Sequence, residues 1–149
     1  MRPTTGEKAP YFEGKDQDGN LVKLSGFLGK KLVLYFYPND DTPTCTKEAC
    51  NLRDHYLLLK EHGYEIIGIS ANHERSHRKF IKKYRLPFKL IADTDRSIHE
   101  KYDTWVEKSM FGRTFMGTAR ITFLIDESGT IEKIIDNVVS GDHAAQILK

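Results

Sequence analysis

Two cysteines, Cys45 and Cys50, stand five residues apart in the stretch YPNDDTPTCTKEAC, where a run of strand formers gives way to a helical pattern. An ionised sulfur is both a nucleophile and a two-electron reductant, which no other side chain in this stretch can be. With Thr42 as N-cap, Pro43 takes the first helical position, where its missing N–H is no loss, and Cys45 takes the third. The unpaired amides and positive dipole end of a first turn favour thiolate over thiol, which predicts a Cys45 pKa below the reference of about 8.5. The competing reading of any one cysteine is a small, inert core residue. Cap, proline and second thiol together favour the nucleophile.

Cys50 carries a separate geometric argument. In an intact α-helix, residues five apart differ by about 7.5 Å of rise and about 140° of rotation, so their Cα atoms lie roughly 8.7 Å apart. A disulfide tolerates at most about 7 Å, so the two sulfurs can bond only if the helix locally unwinds. A bond made that way closes a very short loop and is easily reduced, which suits a cycling dithiol better than a structural staple. The spacing is not the C-x-x-C of a disulfide oxidoreductase. Cys45, Cys50 and His55 also form C-x4-C-x4-H, but five-residue steps scatter ligands around a helix and leave no fourth one nearby. A second metal-like pattern, HERSH over His73 to His77, has the H-E-x-x-H spacing of a zinc hydrolase, with His99 or Glu100 as conceivable third ligands. Ser70 and Asn72 are the natural caps there, which puts His73 at or before the helix start, and the pattern is read as a chance match.

The elements that must position these residues follow from periodicity. FEGKDQDGNLVKLS reads as a hairpin around Asp18, Gly19 and Asn20. KKLVLYFYP has apolar residues at consecutive positions and is expected to be a central strand covered on both faces. A helix is expected from Pro43 to His62, stopped by Gly63, then a strand over YEIIGIS and a helix over Glu74 to Tyr84. A short strand near FKLIAD, a short helix over Arg96 to Tyr102, two strands joined at Asp126 to Gly129 and a closing helix in GDHAAQILK complete the chain. Such a β, α, β, α order followed by a β-hairpin and a helix is the pattern of an α/β mixed sheet flanked by helices, the thioredoxin-like class. At 149 residues the expectation is one domain, 1–149. Apolar residues at 39% with charged ones at 30% suit a soluble globular protein, and no run approaches the roughly 18 apolar residues of a membrane span. MRPTTGEKAPYFEG lacks a signal-peptide core, so a cytoplasmic protein is expected, where ordinary thiols stay reduced. A net charge of +2 points to no nucleic acid, and the basic run RKFIKKYR reads as a solvated helix face. His55, His62 and His143 read as exposed helix residues and Trp105 as a packing anchor.

PNDDTPTC fits the pattern P-x-x-x-T-x-x-C, and the chain resembles the peroxiredoxins, in particular the bacterioferritin comigratory or Q-type subgroup, whose second cysteine follows the first by five. GEKAPYFEGKDQDGNLVKLS, KKYRLPFKLIAD and GTARITFLIDESGTI extend the likeness over nearly the whole chain. One departure is Thr44, where the subgroup usually has glycine; its β-branch restricts the first turn and bears on peroxide access. The resemblance implies a peroxiredoxin-type thioredoxin fold and a thiol-dependent peroxidase of antioxidant defence acting on hydrogen peroxide and organic hydroperoxides. Cys45 would become a sulfenic acid, Cys50 would resolve it as an intramolecular disulfide, and thioredoxin or a similar donor would reduce the bridge. It further implies that Arg120 holds thiolate and peroxide, Thr42 turns its hydroxyl toward them, Pro38 shields the sulfur and Glu48 orients Arg120. Spacing alone left Arg53 and Arg113 open as the arginine. No metal, flavin or haem is implied, and the subgroup suggests a monomer or weak dimer. A stoichiometric redox sensor and a zinc hydrolase are the other two function classes.

Overall fold

KLVLYF forms β3 (Lys31–Phe36) at the centre of a five-stranded sheet, and in the computed structural model, which describes residues 1–149, every residue of β3 after Lys31 is buried. Such burial from both sides is what the unbroken apolar run demands. The other strands of the sheet are β4 (Tyr64–Ser70), β5 (Lys89–Ala92), β8 (Ile121–Ile125) and β9 (Ile131–Ile135), in the order β5-β4-β3-β8-β9. β3, β4 and β5 run parallel, while β8 is antiparallel to both β3 and β9. Helices α1 (Pro43–Asp54), α2 (Tyr56–Glu61), α3 (Glu74–Tyr84), α4 (Ser97–Tyr102) and α5 (His143–Leu148) cover it. This is the expected thioredoxin-like arrangement.

Side-chain alternation along β3 sorts the core into two halves. Val33, Tyr35 and Tyr37 join Cys45, Ala49 and Leu52 of α1, Phe80 of α3 and Ala144 and Ile147 of α5. Leu32, Leu34 and Phe36 join Phe12, Val22, and Ile98 and Tyr102 of α4 on the opposite face. Cys45 is thus built into the core on the α1 side. Gly68 pairs with Tyr35 across β3 and β4, and a Cβ there would come within 2.9 Å of the tyrosine ring. That position accepts only glycine if the ring is to keep its place beneath α1.

The N-terminal hairpin, β1 (Glu13–Lys15) with β2 (Leu21–Lys23), turns where expected, with Gly19 at a φ of +80°. Two features depart from the sequence expectation. The helix expected from Pro43 to His62 is interrupted at His55 and becomes α1 and α2. An unforeseen hairpin, β6 (Trp105–Met110) with β7 (Arg113–Thr118), leads into β8 and carries Met110, Phe111, Phe115 and Met116 exposed. No helix is long and apolar enough to cross a membrane.

Candidate active site

Thr42 is the N-cap residue of α1 in an extended conformation, Pro43 follows at the first helical position, and Cys45 lies in the first turn as the spacing predicts. The cap is made by backbone conformation alone. The Thr42 hydroxyl donates instead to the Asn39 carbonyl at 2.9 Å and makes no hydrogen bond to Cys45. The hydroxyl proton is thereby committed to Asn39, and the oxygen's lone pairs are left for an incoming group. Asp41, at a φ of +54°, completes the tight approach to the helix.

Arg120 supplies the group that spacing could not identify. Its Nη2 donates to Cys45 Sγ at 3.1 Å, and its Nη1 donates to Glu48 Oε1 at 2.7 Å. Glu48 lies one turn after Cys45, fully buried, so the expected orienting contact is made. Arg120 itself sits in the connection just before β8. The open alternatives are occupied elsewhere: Arg53 donates to the Tyr84 carbonyl and pairs with Asp54, and Arg113 is exposed at the β6–β7 hairpin. A half-buried guanidinium with a carboxylate on one side and a sulfur on the other is a fixed fork, a geometry lysine could not reproduce.

Electrostatics around the sulfur are correspondingly unusual. Burial, opposed by Arg120, pushes the Glu48 carboxyl up to about 7. Burial and the nearby Glu48 raise the Tyr35 phenol well above its ordinary value. Lys108 of β6 is lowered, by burial first and by Arg120 second. Cys45 is 2% exposed, whereas Cys50 is half-buried and its thiol is raised, chiefly by burial. Both thiols are free, on one unbroken stretch of α1. Pro38 lies two residues beyond β3 and lines an open cleft of about 310 Å³ with Trp105, Lys108, Phe115, Met116 and Thr118.

Three histidines stand differently from their sequence reading or explain it. His143 is not an exposed helix residue: it is fully buried, with Nε2 at 2.8 Å from Thr122 Oγ1 and 3.6 Å from Glu48 Oε2. Its signal was present, because His143, Ala144 and Ile147 share one helical face and all three are buried. His77 of the H-E-x-x-H pattern has both ring nitrogens engaged, Nδ1 with Asp40 at 2.7 Å and Nε2 with the Ile91 carbonyl at 3.0 Å. His73 is the N-cap of α3, its ring accepting from the Ser76 amide. The pattern is therefore structural. Asp40, His77, Tyr37 and Ser76 pin the loop before α1 to α3, aided by Asp41, which accepts from Lys83 and Tyr84. No sequence motif announced this anchor. The basic run Arg78 to Arg85 is, as expected, the solvated face of α3.

Comparison with known proteins places this geometry among relatives. Residues 5–134 match the AhpC/TSA family. The chain is 43% identical over 148 residues to a putative peroxiredoxin of Coxiella burnetii, covering 99% of this chain and 98% of the relative. It is 44% identical over 144 residues to peroxiredoxin Bcp of Bacillus subtilis, covering 97% and 92%. Among solved structures, the Xanthomonas campestris bacterioferritin comigratory protein, studied for its alkyl peroxide reduction activity, superposes with a TM-score of 0.86 at 30% identity, over 92% of this chain and 87% of that one.

Proposed function

The chain belongs to the AhpC/TSA family, among its Bcp and Q-type peroxiredoxins, and from that premise we propose how its residues divide the work of a thiol-dependent peroxidase. Cys45 is the peroxidatic residue. As thiolate it attacks the terminal oxygen of a hydroperoxide: the S–O bond forms, the O–O bond breaks, sulfur is oxidised by two electrons, and the departing alkoxide or hydroxide takes a proton to leave as alcohol or water. Arg120 holds sulfur and peroxide together and offsets the negative charge that spreads from sulfur to the leaving oxygen. Thr42 accepts the hydrogen bond of the incoming hydroperoxide, and Pro38 walls the approach.

Cys50 then attacks the sulfenic sulfur, forming the disulfide and releasing water once the departing hydroxide is protonated. Because α1 is intact between the two thiols, this step requires the segment around Cys50 to leave the helix. A thioredoxin-like dithiol exchanges with the bridge and restores both thiols. The partly apolar cleft beside Pro38 supports organic hydroperoxides alongside hydrogen peroxide, and the dependence on a dithiol donor fits a reducing compartment such as the cytoplasm. The whole cycle is assigned to a single domain, working as a monomer or weak dimer without metal or cofactor.

The observation that carries this reading is the Arg120 Nη2 contact with the buried Cys45 sulfur at 3.1 Å. A peroxidase assay coupled to thioredoxin and thioredoxin reductase tests it. Many turnovers per chain are expected; a single oxidation event with no steady rate identifies a sensor and overturns the assignment.

A further inference from the structure

Behind Arg120 lies a second charged neighbour of the site that the peroxidase chemistry above does not use. Glu48 Oε1 accepts from Arg120, but no protein group donates to the equally buried Oε2. That oxygen faces His143 Nε2 across 3.6 Å, beyond the reach of a formed hydrogen bond. The tautomer of His143 is fixed by its surroundings. Gln146 Nε2 donates to the Asn137 carbonyl, and Gln146 Oε1 accepts from the Val139 amide, so Oε1 is the atom that faces His143 Nδ1 at 2.8 Å. Nδ1 therefore carries a hydrogen, and in the neutral ring Nε2 is a lone pair that accepts from the Thr122 hydroxyl at 2.8 Å.

A carboxylate oxygen and an imidazole lone pair turned toward each other inside the core repel, and the carboxylate oxygen has no donor at all. One proton removes the conflict. Placed on Glu48 Oε2 it points toward Nε2; placed on Nε2 it points toward Oε2; the pair has the same net charge either way. We propose that Glu48 and His143 act as a one-proton pair that sets how much of Arg120's positive charge is left for Cys45 and bound peroxide, which makes His143 a positioning residue of the peroxidase site. The proposal rests on Cys45 being the peroxidatic thiol.

With the proton bound, the pair is neutral overall and the guanidinium charge is available at the sulfur. Once it is lost, the Glu48 carboxylate neutralises the guanidinium and adds a negative charge one turn from Cys45. The other groups facing the pair are few. From β3 it is Tyr35, whose phenol stays protonated; from β6 Lys108, acting through Arg120 and Cys45; from β8 the neutral Thr122. Burial raises Glu48 to about 7 and lowers His143, so the directions agree with a proton that leaves near neutrality.

The test is the rate of Cys45 oxidation by hydrogen peroxide in a single turnover, by rapid quench and mass spectrometry, across pH in the full chain. In the native protein the rate is expected to fall several-fold as pH passes from slightly acid to alkaline. Glu48→Gln, locked neutral, loses that fall. His143→Leu takes away the acceptor of the Glu48 proton and so weakens the protonated form, which moves the fall to lower pH by about one unit. His143→Gln serves if the leucine variant does not fold, since its amide also cannot take the proton. An infrared carboxylic acid band present in the native protein below neutrality and missing from Glu48→Gln reports the proton without reference to activity. A fall that persists in Glu48→Gln, a profile unmoved by both His143 variants, or the absence below neutrality of both that band and an imidazolium band that His143→Leu removes, overturns the pair. Failure of Cys45 to oxidise at any pH overturns the peroxidase reading itself, and the pair's role with it.

Discussion

The two ends of α1 serve opposite needs. The Cys45 end is set rigidly: the cysteine is 2% exposed, its cap loop is pinned to α3 through Asp40 and Asp41, and Arg120 and Glu48 fix the reacting atom from the other side. The Cys50 end is half-buried and lies one turn before the break at His55, where the helix hydrogen bonding already ends. Preorganisation at the first thiol lowers the cost of the chemical step, while lability at the second allows the roughly 8.7 Å separation of an intact helix to close. One helix thus combines a fixed nucleophile with a mobile resolver, and the arrangement breaks if either end takes on the character of the other.

The largest expected effect is the removal of one thiol at a time. Cys45→Ser abolishes peroxide consumption, whereas Cys50→Ser completes one oxidation and stalls as a sulfenic acid that a dimedone adduct would report by mass spectrometry. Equal loss of the first oxidation in both variants would erase the distinction between the two ends. Next comes Arg120→Lys, which keeps a charge but cannot reach sulfur and carboxylate together; the first oxidation is expected to slow by about 10²–10³-fold, the scale of losing a preorganised donor. A lysine variant within a factor of about three of the native rate would show that charge alone, without the fork, is enough.

Stability against pH sharpens the comparison on the rigid side. A carboxyl whose folded pKa is raised, as Glu48 is from 4.5 to about 7, binds a proton more tightly folded than unfolded. Its favourable share is therefore complete below about 4.5 and is lost as pH climbs to about 7, a loss on the order of 3 kcal/mol. Denaturant melts at pH 5 and pH 8 should show the native protein weakening between them more than Glu48→Gln does. Parallel changes in the two proteins would mean that Glu48 is no more strained by ionisation than a surface carboxylate.

How much of this the sequence disclosed depends on whether a residue's neighbours are local. β3, β4 and α3 were legible because runs of apolar strand formers and an apolar helical stripe encode burial within the segment itself. Cys45 was legible for the same reason, since cap, proline and thiol lie within four residues. Arg120 was not: its contact with Cys45 spans 75 positions, and only the family likeness pointed to it. The β6–β7 hairpin went unseen because most of its residues are exposed on both faces, so no period of two is written into TWVEKSMFGRTFMGT. The interruption at His55 has no proline or glycine to mark it, and although the helical face of His143 was written locally, its contacts with Glu48 and Thr122 were not, both being remote in sequence.

On the labile side the smallest expected effect is also the most discriminating. Asn51 follows Cys50 directly, and its side chain clasps the C-terminal segment twice: Nδ2 donates to the Gly141 carbonyl at 3.0 Å, and Oδ1 accepts from the Ala144 amide at 2.8 Å. Any unwinding that carries Cys50 toward Cys45 must open this clasp, so its hydrogen bonds oppose disulfide formation without touching the peroxide step. Two such bonds, partly open to solvent, are worth about 1 kcal/mol in net terms. Asn51→Ala should therefore speed closure of the Cys45–Cys50 bridge by about fivefold, read by quenching oxidised protein with an alkylating agent at intervals, while the rate of the first oxidation stays at the native value. The shorter-lived sulfenic acid should also resist a second oxidation to sulfinic acid at high peroxide. If closure is no faster in this variant, α1 opens by a route that leaves residues 51, 141 and 144 in place, and the mobile end of the helix is confined to the single turn between the two thiols.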